Sequence, residues 1–191
     1  MSGASSLTPF STVGPFFKLL VRHQPEAAAT LTSETTRGER ITIEGTLLDG
    51  AGTPIDDGLI EIWQADADGC YPHPEDPRAG SADASFAGFG RVATGTPGTF
   101  AFHTIKPGRV AGPDGTLQAP HILVGVMARG IMSRCWTRIY FEDEPSNADD
   151  TVLALVPAQR RATVIARALG GRRYRFDIVV QGDGETVFFD A

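Results

Sequence analysis

Four side chains in this sequence could do chemistry if the fold brought them together. Tyr71 stands alone at the end of a polar turn, Ala65 to Gly69; a tyrosine there can pack as a ring, donate a hydrogen bond or, once deprotonated, bind a hard metal ion. His121 sits in Ala119-Pro120-His121-Ile122-Leu123, on the edge of an apolar run, and an imidazole so placed can ligate a metal or satisfy a buried hydrogen bond. His73 and His103 are candidate further ligands. His73 follows Tyr71 at the spacing that shares a strand face, but Pro72 and Pro74 flank it and predict a surface loop. A fifth residue, Arg129 in Ala128-Arg129-Gly130, follows an apolar strand, where a guanidinium could grip a carboxylate through two parallel hydrogen bonds or simply be solvated. Cys70 and Cys135 lie outside any CxxC spacing and read as free thiols. No Ser-His-Asp or Cys-His motif, phosphate-binding glycine loop or internal repeat is present.

The elements that must position these residues are mostly strands. Arg40 to Leu48 alternates, with Ile41, Ile43 and Leu47 on one face. Leu59 to Trp63 has the β-branched and aromatic content of a strand covered on both sides, as does Ala119 to Met127. Phe89 to Thr94 and Gly98 to Ile105 predict a hairpin around residues 95–98, with Phe100 and Phe102 on one face and Ala101 and His103 on the other. Ser133 to Phe141 sets Cys135, Thr137 and Ile139 against Trp136, Arg138 and Tyr140. Tyr174 to Gln181 and Thr186 to Phe189 read as the last strands, joined at residues 182–184. The segment between Tyr71 and Gly88, rich in Pro, Asp and Ser, is a long loop, and such loops are commonly functional or interfacial. One helix is predicted, Ala158 to Leu169, opened by Pro157 and closed by Gly170-Gly171. The fold class is therefore mainly β: a two-sheet β-sandwich over residues 40–191, with one or two short helices and an irregular arm over residues 1–39 that carries Phe10, Phe16, Phe17, Leu19 and Leu20. That much apolar surface must lie on this domain or on a partner.

Taken together, Trp63-Gln64-Ala65 leading to Tyr71, the Lys106-Pro107-Gly108 turn and Ala119-Pro120-His121 closely resemble the intradiol ring-cleavage dioxygenases. The resemblance runs from about Thr8 to Asp190. It implies a non-haem ferric ion held by two tyrosines and two histidines, at positions matching Tyr71, Val110, His121 and Leu123. Two of those four positions are aliphatic and offer no lone pair, so the centre in this chain is expected to be vestigial, with no metal and no catalytic residue of its own. The N-terminal TPFSTVGPFF (8–17) and C-terminal GETVFFD (184–190) resemble the iron-free α subunit of a two-subunit member of the family. Its assembly cleaves 3,4-dihydroxybenzoate with dioxygen to 3-carboxy-cis,cis-muconate, a step of aromatic catabolism through β-ketoadipate.

The resemblance further implies a homologous β subunit as partner, which binds the Fe(III), and a higher α–β oligomer with an aromatic dihydroxy acid substrate at the subunit interface. It assigns Thr12, Val13, Gly14, Pro15 and Arg129 to the wall of the partner's pocket, the first four as a turn in which Gly14 permits close approach and Pro15 adds stiffness. Two other readings are compatible with the residues: a self-sufficient metalloenzyme with a rearranged site drawn from Tyr71, His121, His73 or His103, and a non-enzymatic scaffold. Composition narrows the partners. Seventeen basic against 23 acidic residues, a net charge of −6, argue against nucleic acid and anionic membrane surfaces. No apolar run is long enough to span a bilayer, and residues 1–8 lack the features of a secretory signal, so a cytoplasmic protein is expected.

Overall fold

The computed structural model describes residue 14 and residues 26–112 and 115–190. Eleven strands are formed among them: β1 (Arg40–Leu48), β2 (Leu59–Trp63), β3 (Phe89–Ala93), β4 (Thr99–Ile105), β5 (Val110–Ala111), β6 (Leu117–Gln118), β7 (Ile122–Met127), β8 (Cys135–Phe141), β9 (Ile165–Gly170), β10 (Arg173–Arg175) and β11 (Ile178–Val179). All but the β5–β6 pair join one hydrogen-bonded path that folds into two facing layers. One layer is β3-β2-β7-β8, antiparallel throughout, and the other is β9-β10-β1-β4 with β11 continuing along the edge of β1. The layers meet at a short parallel pairing, Tyr140 with Ile165 and Phe141 with Ala166.

The period-two patterning decides what faces inward. Ile41, Ile43 and Leu47 of β1, with Phe100 and Phe102 of β4, pack against Ile60 and Ile62 of β2, Val124 and Val126 of β7, and Ile139 and Phe141 of β8. This intersheet core is closed on one side by Leu31, whose neighbours Thr30 and Thr32 bridge to His103 and Phe86. A smaller cluster on the outer face of β8 gathers Tyr140 with Leu153, Val156 and Val164 from the connection that follows.

Three expectations are corrected. Phe89–Ala93 and Thr99–Ile105 do not pair as a hairpin: β3 runs antiparallel to β2 and β4 antiparallel to β1. The Gly95–Gly98 turn is real, but it carries the chain from one layer to the other, because each strand finds a longer ladder elsewhere. The expected helix over 158–169 is a 3₁₀ segment, Ala158–Val164, followed by β9, and Leu169 is 41% exposed. The β-branched run Thr163-Val164-Ile165 loses side-chain freedom in a helix, whereas extended backbone lets Ile165 and Ala166 complete the sheet beside β8. The one α-helix among the described residues is instead a single turn, α1 (Thr151–Leu155), capped by Asp150, whose Oδ1 accepts a hydrogen bond from Leu153 N at 2.7 Å. Residues 174–181 are broken into β10 and β11 at Phe176 and Asp177, where Asp177 Oδ1 accepts from Thr46 N at 2.8 Å in place of a backbone acceptor. Residues 186–189 contribute only an isolated bridge, Trp136 with Phe189. Among the described residues no helix is long and apolar enough to cross a membrane.

Candidate functional site

The site is built on the outer face of the β3-β2-β7-β8 sheet. Trp63, Leu123 and Arg138 lie side by side across β2, β7 and β8, each directly opposite the next. His121 and Tyr140, two residues along from Leu123 and Arg138, pack with ring centroids 5.9 Å apart. Tyr71 returns over this face and stacks on Trp63 at 5.5 Å, with the ring planes 17° apart.

Two interlocked turns bring Tyr71 and Val110 to this place. Asp66 closes the first: its Oδ1 accepts from the backbone of Asp68 at 3.0 Å and Cys70 at 2.9 Å, and its Oδ2 from Asp83 N at 2.8 Å. The second turn, Lys106 to Arg109, is stitched to the first by Gly108 N donating to Asp66 O at 2.8 Å. Both need glycine where they touch. A Cβ on Gly108 would lie 2.5 Å from Ala67 O, and one on Gly69, at φ 75°, would overlap the carbonyl of Arg109. Gln64, fully buried, ties the ends of the two layers: its Nε2 donates to Ile105 O at 3.1 Å and its Oε1 accepts from Thr104 Oγ1 at 2.7 Å.

Val110 on β5 faces Gln118 on β6, and Gln118 leads through Pro120 to His121. Tyr71 and Val110 line one cavity of about 750 Å³, open beside Trp63 and His73. Leu123 and Arg138 line a second of about 440 Å³, walled by Trp136, Val152 and Phe189. His121 is 3% exposed. Its Nδ1 lies 2.8 Å from Ala119 O, an atom that can only accept, so Nδ1 carries the proton and Nε2 keeps its lone pair. Asp150 fixes that segment, accepting from Ala119 N at 2.7 Å and from the Tyr140 hydroxyl at 3.1 Å.

The electrostatics follow from burial. Desolvation, reinforced by the Arg138 charge, pushes His121 down to about 4, so its imidazole is neutral at pH 7. Desolvation raises the Tyr71 phenol above its ordinary value, with Arg138 opposing the rise, and raises Tyr140 much further. At neutral pH this leaves one phenol, one neutral imidazole, two aliphatic side chains and a guanidinium. The donor set does not fit a ferric ion, which favours anionic oxygen donors, because two of the four positions offer no lone pair. Among the described residues no group of three or more His, Cys, Asp or Glu side chains could hold a metal.

Of the remaining candidates, His73 is exposed and edge-on to Trp63 at 6.4 Å, and His103 is on β4, its Nδ1 3.2 Å from Thr42 Oγ1 and away from Tyr71. Arg129 lies beyond the far end of β7, its Nε paired with the buried carboxylate of Asp57 while the side chain remains 58% exposed. Gly14 has φ 75°, and among the described residues nothing lies within 4 Å of where its side chain would begin; Thr12, Val13 and Pro15 lie outside the described residues. Sequence reasoning missed Gln118, Arg138 and Asp150. The available signal was Arg138 itself, a charge at the middle of a strand whose neighbours Thr137, Ile139 and Tyr140 are all buried.

A family model described as Dioxygenase matches residues 12–182. The chain is 43% identical over 197 residues to the protocatechuate 3,4-dioxygenase alpha chain of Burkholderia cepacia, covering 96% of each. It is also 36% identical over 163 residues to the beta chain from the same organism, covering 78% of this chain and 67% of the relative. In three dimensions it superposes on catechol 1,2-dioxygenase from Acinetobacter sp. ADP1 with a TM-score of 0.65 at 22% identity, covering 85% of this chain and 60% of that one, which supports the shared sandwich.

Proposed function

The chain belongs to the intradiol ring-cleavage dioxygenase family, and from that premise we propose that it is the α subunit of a heteromeric protocatechuate 3,4-dioxygenase. The assembly cleaves 3,4-dihydroxybenzoate with dioxygen to 3-carboxy-cis,cis-muconate. A homologous β subunit is its partner in an α–β oligomer and carries the Fe(III); this chain supplies assembly surface and pocket wall. The observation that carries this reading is the conjunction of end-to-end likeness to an alpha chain, 96% of both lengths, with aliphatic Val110 and Leu123, the latter opposite Arg138, at the positions the family resemblance assigns to metal donors. The likeness to a beta chain over 78% of this chain supports a partner of the same fold.

The arm, residues 1–39, reaches the partner through Thr12, Val13, Gly14 and Pro15, and residues 40–191 form the sandwich. Arg129 adds a guanidinium to the partner's pocket, held in place by Asp57, with its exposed end free to meet a carboxylate. The chain works in the cytoplasm, in keeping with its acidic composition and free thiols. The test is co-expression with the homologous subunit. The pair is expected to contain iron, show tyrosinate-to-iron charge-transfer absorption and consume oxygen on 3,4-dihydroxybenzoate, whereas this chain alone is colourless. Iron bound by this chain alone, with oxygen uptake on catechols, would overturn the reading. Arg129→Ala in the pair is expected to raise KM with little change in kcat; an unchanged KM removes Arg129 from the pocket.

A further inference from the structure

Residues 158–175 hold six arginines and no acidic residue, in a chain whose net charge is −6. Five of the six are matched by groups outside the segment. Arg160 lies 3.6 Å from Glu185, Arg172 3.4 Å from Glu39, Arg173 2.8 Å from Glu44 and Arg175 2.6 Å from Asp177, while Arg161 Nε donates to Val156 O at 3.0 Å. The sixth, Arg167, is exposed, and its guanidinium has no ion-pair or hydrogen-bond partner among the described residues. It stands directly opposite Arg175 across the antiparallel β9–β10 ladder. Like charges so placed destabilise a ladder. The neighbouring acids are already committed: Asp177 to Arg175 and Thr46 N, Glu44 to Arg173 through both oxygens, and Glu142 to Ala168 N at 2.9 Å. The two arginines open on a cleft of about 290 Å³ between the start of β9 and the end of β10, lined also by Asp177, Ile165, Phe176 and Thr186. It therefore holds two guanidiniums against one carboxylate, an excess of one positive charge beside an apolar wall.

We propose that this cleft binds a small monocarboxylate with an apolar body, its oxygens on the Arg167 guanidinium and its body against Ile165 and Phe176. The flat fork of a guanidinium matches a carboxylate through two parallel hydrogen bonds. Asp177 selects against a doubly charged phosphate, whose second negative charge would face that carboxylate with no cation left to meet it. The site shares no residue with the Tyr71 and His121 region and stands whether or not the functional reading above holds.

The experiment titrates the full chain, co-expressed with its homologous partner, with isobutyrate and separately with inorganic phosphate at constant ionic strength, reading binding by calorimetry. Isobutyrate is expected to bind the parent saturably with a Kd of about 1 mM. Arg167→Gln is expected to weaken that binding about ten-fold. Arg167→Lys, which keeps the charge but not the fork, is expected to weaken it about three-fold and replaces the glutamine variant if that one does not fold. Arg173→Gln removes a guanidinium held by Glu44 on the same sheet and is expected to leave binding unchanged. The melting midpoint and co-elution of every variant are recorded as folding controls. Absence of saturable isobutyrate binding, equal binding by the parent and a folded Arg167→Gln, or phosphate binding as tightly as isobutyrate overturns the inference. Loss of co-elution in Arg167→Gln with no isobutyrate bound by the parent also overturns it, assigning Arg167 to a subunit contact instead.

Discussion

The two turns that frame the centre and the centre itself have met different constraints. In the frame, Asp66 accepts three backbone hydrogen bonds, and Gly69 and Gly108 let two turns touch backbone to backbone. In the centre, the positions that would carry donors hold Val110 and Leu123, and the charge comes from Arg138 on a neighbouring strand. Frame residues are fixed by packing and by backbone groups that have no alternative partner, so each is costly to change whatever the site does. Positions 110 and 123 carry no such backbone constraint, so aliphatic side chains can stand there without cost to the frame. The shape of a metal site is thus more durable than its chemistry.

That contrast can be broken most sharply at Gly69. Gly69→Ala is expected to cost about 4 kcal/mol in chemical denaturation, since its Cβ would meet the Arg109 carbonyl and its φ of 75° disfavours alanine; a loss near that of an exposed loop substitution would show that the turns can separate. Next is acid. His121 is held at about 4 against an ordinary 6.5, so the unfolded chain takes up its proton first. The stability owed to the neutral ring is whole above the ordinary value, declines as pH falls, and stops declining once folded His121 protonates, a total of about 3 kcal/mol. His121→Gln should flatten stability against pH by about one proton in that window, and an unchanged slope rejects the assignment. Asp66→Ala should cost about 2 kcal/mol, by leaving the backbone N–H groups of Asp68, Cys70 and Asp83 without their acceptor. Smallest is Tyr71→Phe. The ring stack on Trp63 is kept, so the loss should stay below about 0.5 kcal/mol in the melting midpoint; a loss several times larger would mean the phenol is still bonded as a working group.

Much of the fold was legible because period-two patterning is local. Arg40–Leu48 alternates in burial as its sequence alternates, and Phe100 and Phe102 face inward together. Pairing was not legible. Nothing local to Phe89–Ala93 says that Leu59–Trp63, some thirty residues earlier, offers a better ladder than the strand across the next turn. The helix failed similarly: Pro157 and Gly170-Gly171 bracket a helical length, but a free edge at Tyr140 and Phe141 drew Ile165 and Ala166 into extended pairing. At the site, Tyr71 and His121 could be named from motif and spacing. Arg138 could not, because its role depends on standing opposite Leu123.

The sequence by itself determined most of the sandwich's strands, the turns at residues 65–69 and 106–108 and the absence of lone pairs at residues 110 and 123, since these reside in residue types and short spacings. Only the tertiary structure decided which strands pair, that β1 carries β4 on one side and β10 and β11 on the other, and that a guanidinium stands opposite Leu123. The physical reason is distance along the chain. Side-chain identity and alternation act within a few residues, whereas register and charge placement are settled by competition among partners far apart in sequence, and only the folded chain reveals which of them wins.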